Sequence, residues 1–176
     1  MLLAAQGLLQ TPERATKEDV LAAIRQMGVL QIDSINVVNR SPYLVLWSRI
    51  GAFPLNWLTD LLAERAIFEY WSHAACFLPI EDYALQRRIM LDGRIRWGDS
   101  KEWIAKHPEI VEQVMAHVRR HSGKRSSDFE RSDGKKGSWW NWKEEKIALE
   151  LLFIAGELMI SPRGSTSSAC TTCANG

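Results

Sequence analysis

The chain has 176 residues, 46% of them hydrophobic and 24% charged, a composition that suits a folded globular protein with room for one sizeable core or two small ones. It excludes a fibrous or disordered chain. No apolar stretch is long enough to span a bilayer and the N-terminus lacks the sections of a secretory signal, so a cytoplasmic protein with no membrane partner is expected. The formal net charge of +1 decides nothing about nucleic acid, for which the clustering of basic residues on one face matters.

From Thr16 the pattern is helical. Thr16 is a fitting N-cap with Asp19 three residues on, Val20, Leu21, Ile24 and Met27 share a face, and Gly28 ends the run. Val29 to Ser34 is a short piece with polar residues at alternate positions. Asp33 or Ser34 could cap a following helix over Ile35 to Arg49, with an irregularity at Ser41-Pro42. Two helices joined by a tight connection read as a helix-turn-helix. Pro54 fits the first turn of a helix through Trp57, Leu58, Leu61 and Leu62. Ile67 to Trp71 and Ala74 to Leu78 are short and aromatic-rich, separated by Ser72-His73, and read as two strands or one bent strand. Helices followed by a hairpin suggest a winged helix.

Glu81 to Leu91 is again helical, Asp99 or Ser100 could cap a short helix ending before Pro108, and Pro108 to His121 is amphipathic. Gly123 to Gly137 is polar and basic. Trp139-Trp140-Asn141-Trp142 opens a helix running to Gly156, and Glu157 to Ser161 looks like a strand. After Arg163 the composition changes abruptly, and Gly164 to Gly176 has no periodicity. The cysteines are Cys76, Cys170 and Cys173, which do not suggest a disulfide scaffold. Cys170-Thr-Thr-Cys173 has the spacing of half a zinc site with no second pair to complete it, so no metal is expected.

Six phrases stand out along the chain: Leu3-Ala4-Ala5-Gln6-Gly7, Leu30-Gln31-Ile32-Asp33-Ser34-Ile35-Asn36-Val37, Glu69-Tyr70-Trp71-Ser72-His73-Ala74, Trp139-Trp140-Asn141-Trp142, Ala148-Leu149-Glu150 and Gly156-Glu157-Leu158. Taken together they resemble the YcaQ/AlkZ family of winged-helix DNA glycosylases that repair interstrand crosslinks. The resemblance covers about residues 2 to 163. It implies a mainly α fold with small β-hairpins, built as tandem winged-helix domains of which the second is truncated. The expected division is 1–80 for the first winged helix, 81–122 for a helical connector, 123–163 for a second winged helix lacking its returning strand, and 164–176 for a tail of foreign composition. It further implies a monomer that acts on duplex DNA carrying alkylated or crosslinked guanine, with no cofactor.

The family's catalytic signature is Gln-apolar-Asp or Gln-apolar-Gln, matched here by Gln31-Ile32-Asp33. An N7-alkylated guanine is cationic and leaves readily, so the enzyme must stabilise positive charge on the sugar and place a water. Asp33 would do both, and the Gln31 amide would hold the water or the substrate. The resemblance also makes a substrate-side role possible for His73 and Tyr70, and Arg40, Arg49, Lys124, Arg125, Lys135 and Lys136 are candidate contacts to the DNA phosphates. Residue statistics alone support plainer readings: Asp33 as a helix cap, Gln31 on a solvated edge, His73, Tyr70 and Trp71 as packing, and the cations as ordinary surface charge. On those readings the chain is a non-catalytic winged-helix DNA-binding protein, or an inactive remnant of the glycosylase.

The family's pattern continues after Arg163 with a strand phrase like Arg-Val-Tyr-Asp-Leu-Arg-Glu-Arg. Ser168 to Gly176 can be encoded AGC GCG TGT ACG ACC TGC GCG AAC GGN, and the same bases read from the third position give CGC GTG TAC GAC CTG CGC GAA CGG, which spells that phrase. A frameshift near Arg163 is therefore expected, with the strand Glu157 to Ser161 left without its hairpin partner and its edge exposed. Met1 is likewise expected to fall inside the first helix.

Overall fold

The computed structural model describes residues 2–9, 11–33, 39–92, 100–120, 144–161 and 170–173. The chain is mainly helical, with a small antiparallel three-stranded sheet, and divides into two compact units, Met1–Ala84 and Leu85–Gly176.

In the first unit a short helix α1 (Leu2–Ala5) precedes α2 (Lys17–Met27). The cap of α2 is reciprocal: the Thr16 hydroxyl accepts from Asp19 N at 3.2 Å, and the Asp19 carboxylate accepts from Thr16 N at 2.8 Å. Gly28 closes the helix in the left-handed region at φ 73° and turns the chain into β1 (Leu30–Gln31). The expected helix over Ile35 to Arg49 is shorter in fact: α3 runs Ser41–Ile50 with Arg40 as its N-cap residue. Pro42 has no N–H to give and clashes with a preceding turn, so it sits where a helix begins. Residues 34–38 lie outside the described residues.

After α4 (Asn56–Ala63) come β2 (Ile67–Trp71) and β3 (Ala75–Pro79), two strands joined by a tight turn in which Ser72 N donates to Ala74 O at 2.9 Å. The sheet order is β1-β3-β2, with Leu30 opposite Phe77, Gln31 opposite Cys76, and Tyr70 opposite Cys76 from the other side. Paired residues share a face and successive residues alternate. Leu30, Ile67 and Phe77 therefore face the helices, where they join Val20, Ile24, Leu46, Leu58 and Leu61 in one core. On the opposite face, Phe68 meets Tyr83 edge to face with ring centroids 5.4 Å apart.

The helical stretch expected from Glu81 opens as a 3-10 turn over Ile80–Asp82 and becomes α5 (Tyr83–Asp92). The second unit holds α6 (Ser100–Lys106), α7 (Pro108–Arg120), α8 (Glu144–Ile154), β4 (Leu158–Ser161) and β5 (Cys170–Cys173). Val114 and Val118 of α7 pack with Ala148, Leu149 and Leu152 of α8 and Leu158 of β4. The tryptophans 139, 140 and 142 and the basic stretch before them lie outside the described residues.

One expectation is corrected. The strand thought to stand unpaired has a partner, since β4 pairs antiparallel with β5 from Leu158 opposite Cys173 to Ser161 opposite Cys170. A ladder is made of backbone N–H and C=O groups, which every residue of Cys170–Cys173 supplies, and two threonines in succession favour the extended form.

Candidate active site at the end of the first strand

The site begins with the alternation of Leu30, Gln31, Ile32 and Asp33. Leu30 is 1% exposed in the core, Gln31 is exposed, and Ile32 and Asp33 are half-buried. The ladder runs one residue past β1, because Ile32 N donates to Ala75 O at 2.8 Å. Leu30 anchors the strand in the core, Gln31 falls on the opposite face, and Asp33 follows just past the last bond of the ladder.

The register of β1 on β3 sets Gln31 beside the turn that joins β2 to β3. There His73, also exposed, approaches it: His73 Nε2 lies 3.1 Å from Gln31 Oε1, across 42 positions of sequence. With its proton on Nε2 the ring donates to the amide carbonyl. The amide is then held in one orientation with its amino group left to donate outward. The next helix among the described residues, α3, has Arg40 as its N-cap residue.

Tyr70 stands differently from the expectation. Its side chain is fully buried on the sheet face it shares with Cys76, where an aromatic ring gains most from leaving water, so its place is in the packing and not against a substrate. Burial pushes the Cys76 thiol up, which keeps it protonated and unreactive. Arg40 sits at the N-terminus of α3. Arg49 spends one guanidinium nitrogen within that helix, donating to Val45 O at 2.9 Å and Ser48 Oγ at 3.2 Å. Lys124, Arg125, Lys135 and Lys136 lie outside the described residues. No group of three or more His, Cys, Asp or Glu among the described residues could hold a metal ion. Among them, too, no helix is long and apolar enough to cross a membrane.

The family model for AlkZ-like DNA glycosylases matches residues 24–172, which takes in β1, the hairpin and nearly all of the second unit. The chain belongs to the AlkZ-like DNA glycosylase family. No solved structure matches it. DNA is accordingly the substrate or partner of this AlkZ-like chain, and its function is of the DNA glycosylase kind.

Sequence reasoning passed over Glu69, which stands directly before Tyr70. It lies opposite Phe77 on the face turned to the helices, half-buried, and no hydrogen bond or ion pair reaches its carboxylate among the described residues. Desolvation pushes it from the usual 4.5 up to about 7. The folded state therefore holds a proton that the unfolded chain releases at lower pH. Its stabilising effect is complete below about 4.5 and is lost as pH rises through about 7. Glu69→Gln removes the charge. It is expected to raise stability at pH 8 by roughly 1–2 kcal/mol, against an upper bound of about 3 kcal/mol for a shift of this size, and to leave stability at pH 4 nearly unchanged. Denaturant unfolding at the two pH values checks this, and an equal effect at both would refute it.

Proposed function

We propose that this chain hydrolyses the N-glycosidic bond of N7-alkylated guanine in duplex DNA, crosslinked adducts included, with Gln31 and Asp33 as its catalytic groups and His73 positioning Gln31. The observation that carries this reading is the Gln31–His73 contact at the exposed end of β1, next to Asp33, in a chain of a DNA glycosylase family. The cationic base needs little help to leave. The work falls on the deoxyribosyl cation and the attacking water, which suits a half-buried carboxylate beside an oriented amide. The order helix, strand, helix, helix, hairpin in the first unit supports a winged helix, and α7, α8 and the β4–β5 pair support a second.

The test is incubation of the chain with duplex DNA carrying N7-methylguanine, scored by alkali-labile abasic sites. Base release supports the reading, whereas a mobility shift without abasic sites leaves a DNA-binding module.

Residues 164–176 are read, on this proposal, from a shifted frame. The strand β5 supports it. The codons of Cys170 to Cys173, the residues of β5, overlap those for the strand phrase Val-Tyr-Asp-Leu in the other frame. Sequencing the locus from codon 160 to codon 176 checks it, and a coding frame that stays open and matches relatives without a shift would refute it.

A further inference from the structure

Two neighbouring helices of the first unit present opposite surfaces to solvent. On α3, Pro42, Leu46 and Ile50 point into the core, and the far side carries Leu44, Trp47 and Ser48 at i, i+3 and i+4. Trp47 is 61% exposed and Leu44 45%. Residues 39–52 contain Arg40 and Arg49 and no carboxylate, and the Arg49 guanidinium reaches Ser48 next to Trp47. On α4 the solvent side carries Asn56, Thr59, Asp60 and Ala63, with Glu64 just beyond. Residues 54–64 hold two carboxylates and no cation, the first cation being Arg65. Asp60 accepts from Asn56 Nδ2 at 2.9 Å and Glu64 pairs with Lys17 at 2.5 Å.

In a winged helix, α4 holds the place of the helix that enters the major groove. The α4 surface carries Asp60 and Glu64 with Lys17 paired to the latter, a balance that does not favour phosphate, while the α3 surface sets the half-buried Arg40 and Arg49 beside the exposed Trp47 ring. Helix α3 also packs on β1, the strand that carries Gln31, and begins eight residues after Asp33.

We propose that DNA is held by the outer face of α3, with Trp47 stacking on bases beside the damaged nucleotide, and that α4 stays off the DNA. This rests on the glycosylase reading only for the identity of the lesion. Stacking by an exposed ring is favoured where a base is displaced or missing, because the energy of unstacking is already spent. A duplex carrying a tetrahydrofuran abasic analogue is therefore expected to bind more tightly than the intact duplex.

Affinities for the two duplexes provide the test, for wild type, Trp47→Ala, Trp47→Phe and Asp60→Lys. Trp47→Ala should bind the abasic duplex roughly tenfold more weakly and lose the preference, with unchanged thermal unfolding because the ring is exposed, and Trp47→Phe should keep most of it. Asp60→Lys should leave affinity and its salt slope unchanged, since a cation on α4 would meet no phosphate. A preference retained in Trp47→Ala, its absence in wild type, or a salt slope steeper by about one in Asp60→Lys would each overturn the proposal. Gln31→Ala and Asp33→Ala should keep the preference, so failure of base release and failure of this inference are read separately.

Discussion

Asp33→Ala is expected to lower the single-turnover rate of N7-methylguanine release by roughly 10²- to 10³-fold while changing affinity for the duplex little, as for other preorganised electrostatic groups. The reason lies in when its charge is needed. Before reaction the positive charge lies on the base and none on the sugar; it passes to the sugar only as the glycosidic bond stretches, which is when a carboxylate placed there stabilises most. Asp33→Asn keeps the volume and removes the charge, and should fall nearly as far. Gln31→Ala should cost less, because an amide orients a water but does not oppose a full charge. Loss of His73 should cost less again, because His73 acts through its 3.1 Å contact with the Gln31 amide. Equal rates for wild type and Asp33→Ala would remove Asp33 from the mechanism.

Gly156→Ala is expected to destabilise the second unit by roughly 2–4 kcal/mol, read by chemical denaturation. Gly156 ends α8 at φ 73°, in the left-handed region where any Cβ is strained. A Cβ here would also stand 2.4 Å from both Arg87 Nη1 and Met90 Sδ, and 3.3 Å from Met90 Cβ. Both side chains would have to give way. Arg87 would lose its 3.0 Å bond to Ala155 O, which satisfies one of the carbonyls left open at the end of α8, and Met90, 3% exposed, would have to repack. Gly156→Asn tolerates the left-handed backbone but not the crowding, so it should remain destabilising. An effect of Gly156→Ala under half a kcal/mol would contradict this geometry.

Much of the fold was legible because it is local. The Thr16–Asp19 capping box, the Gly28 and Gly156 stops, and the apolar spacing of α2 and α7 depend on residues within one or two turns of each other. The boundaries moved where local signals compete: Pro42 marks a helix start at Ser41, not an irregularity within a longer helix. The returning strand at Cys170–Cys173 was not legible. Its side chains carry no alternation, and the ladder is built from backbone that every residue possesses.

The sequence by itself determined the family and the Gln31-Ile32-Asp33 signature, since both reside in residue identities along the chain. Only the tertiary structure decided that His73 meets Gln31, that Tyr70 and Glu69 turn inward on opposite faces of one strand, and that Trp47 stands in solvent. The first two depend on which strands pair and in what register, and the third on which side of α3 packs inward. A one-residue slip of β1 on β3 would exchange every inward side chain for an outward one, and the residues around Gln31 do not specify that register by themselves. It is set by the burial of Leu30, Ile67 and Phe77 against the helices, a condition spread over the whole first unit.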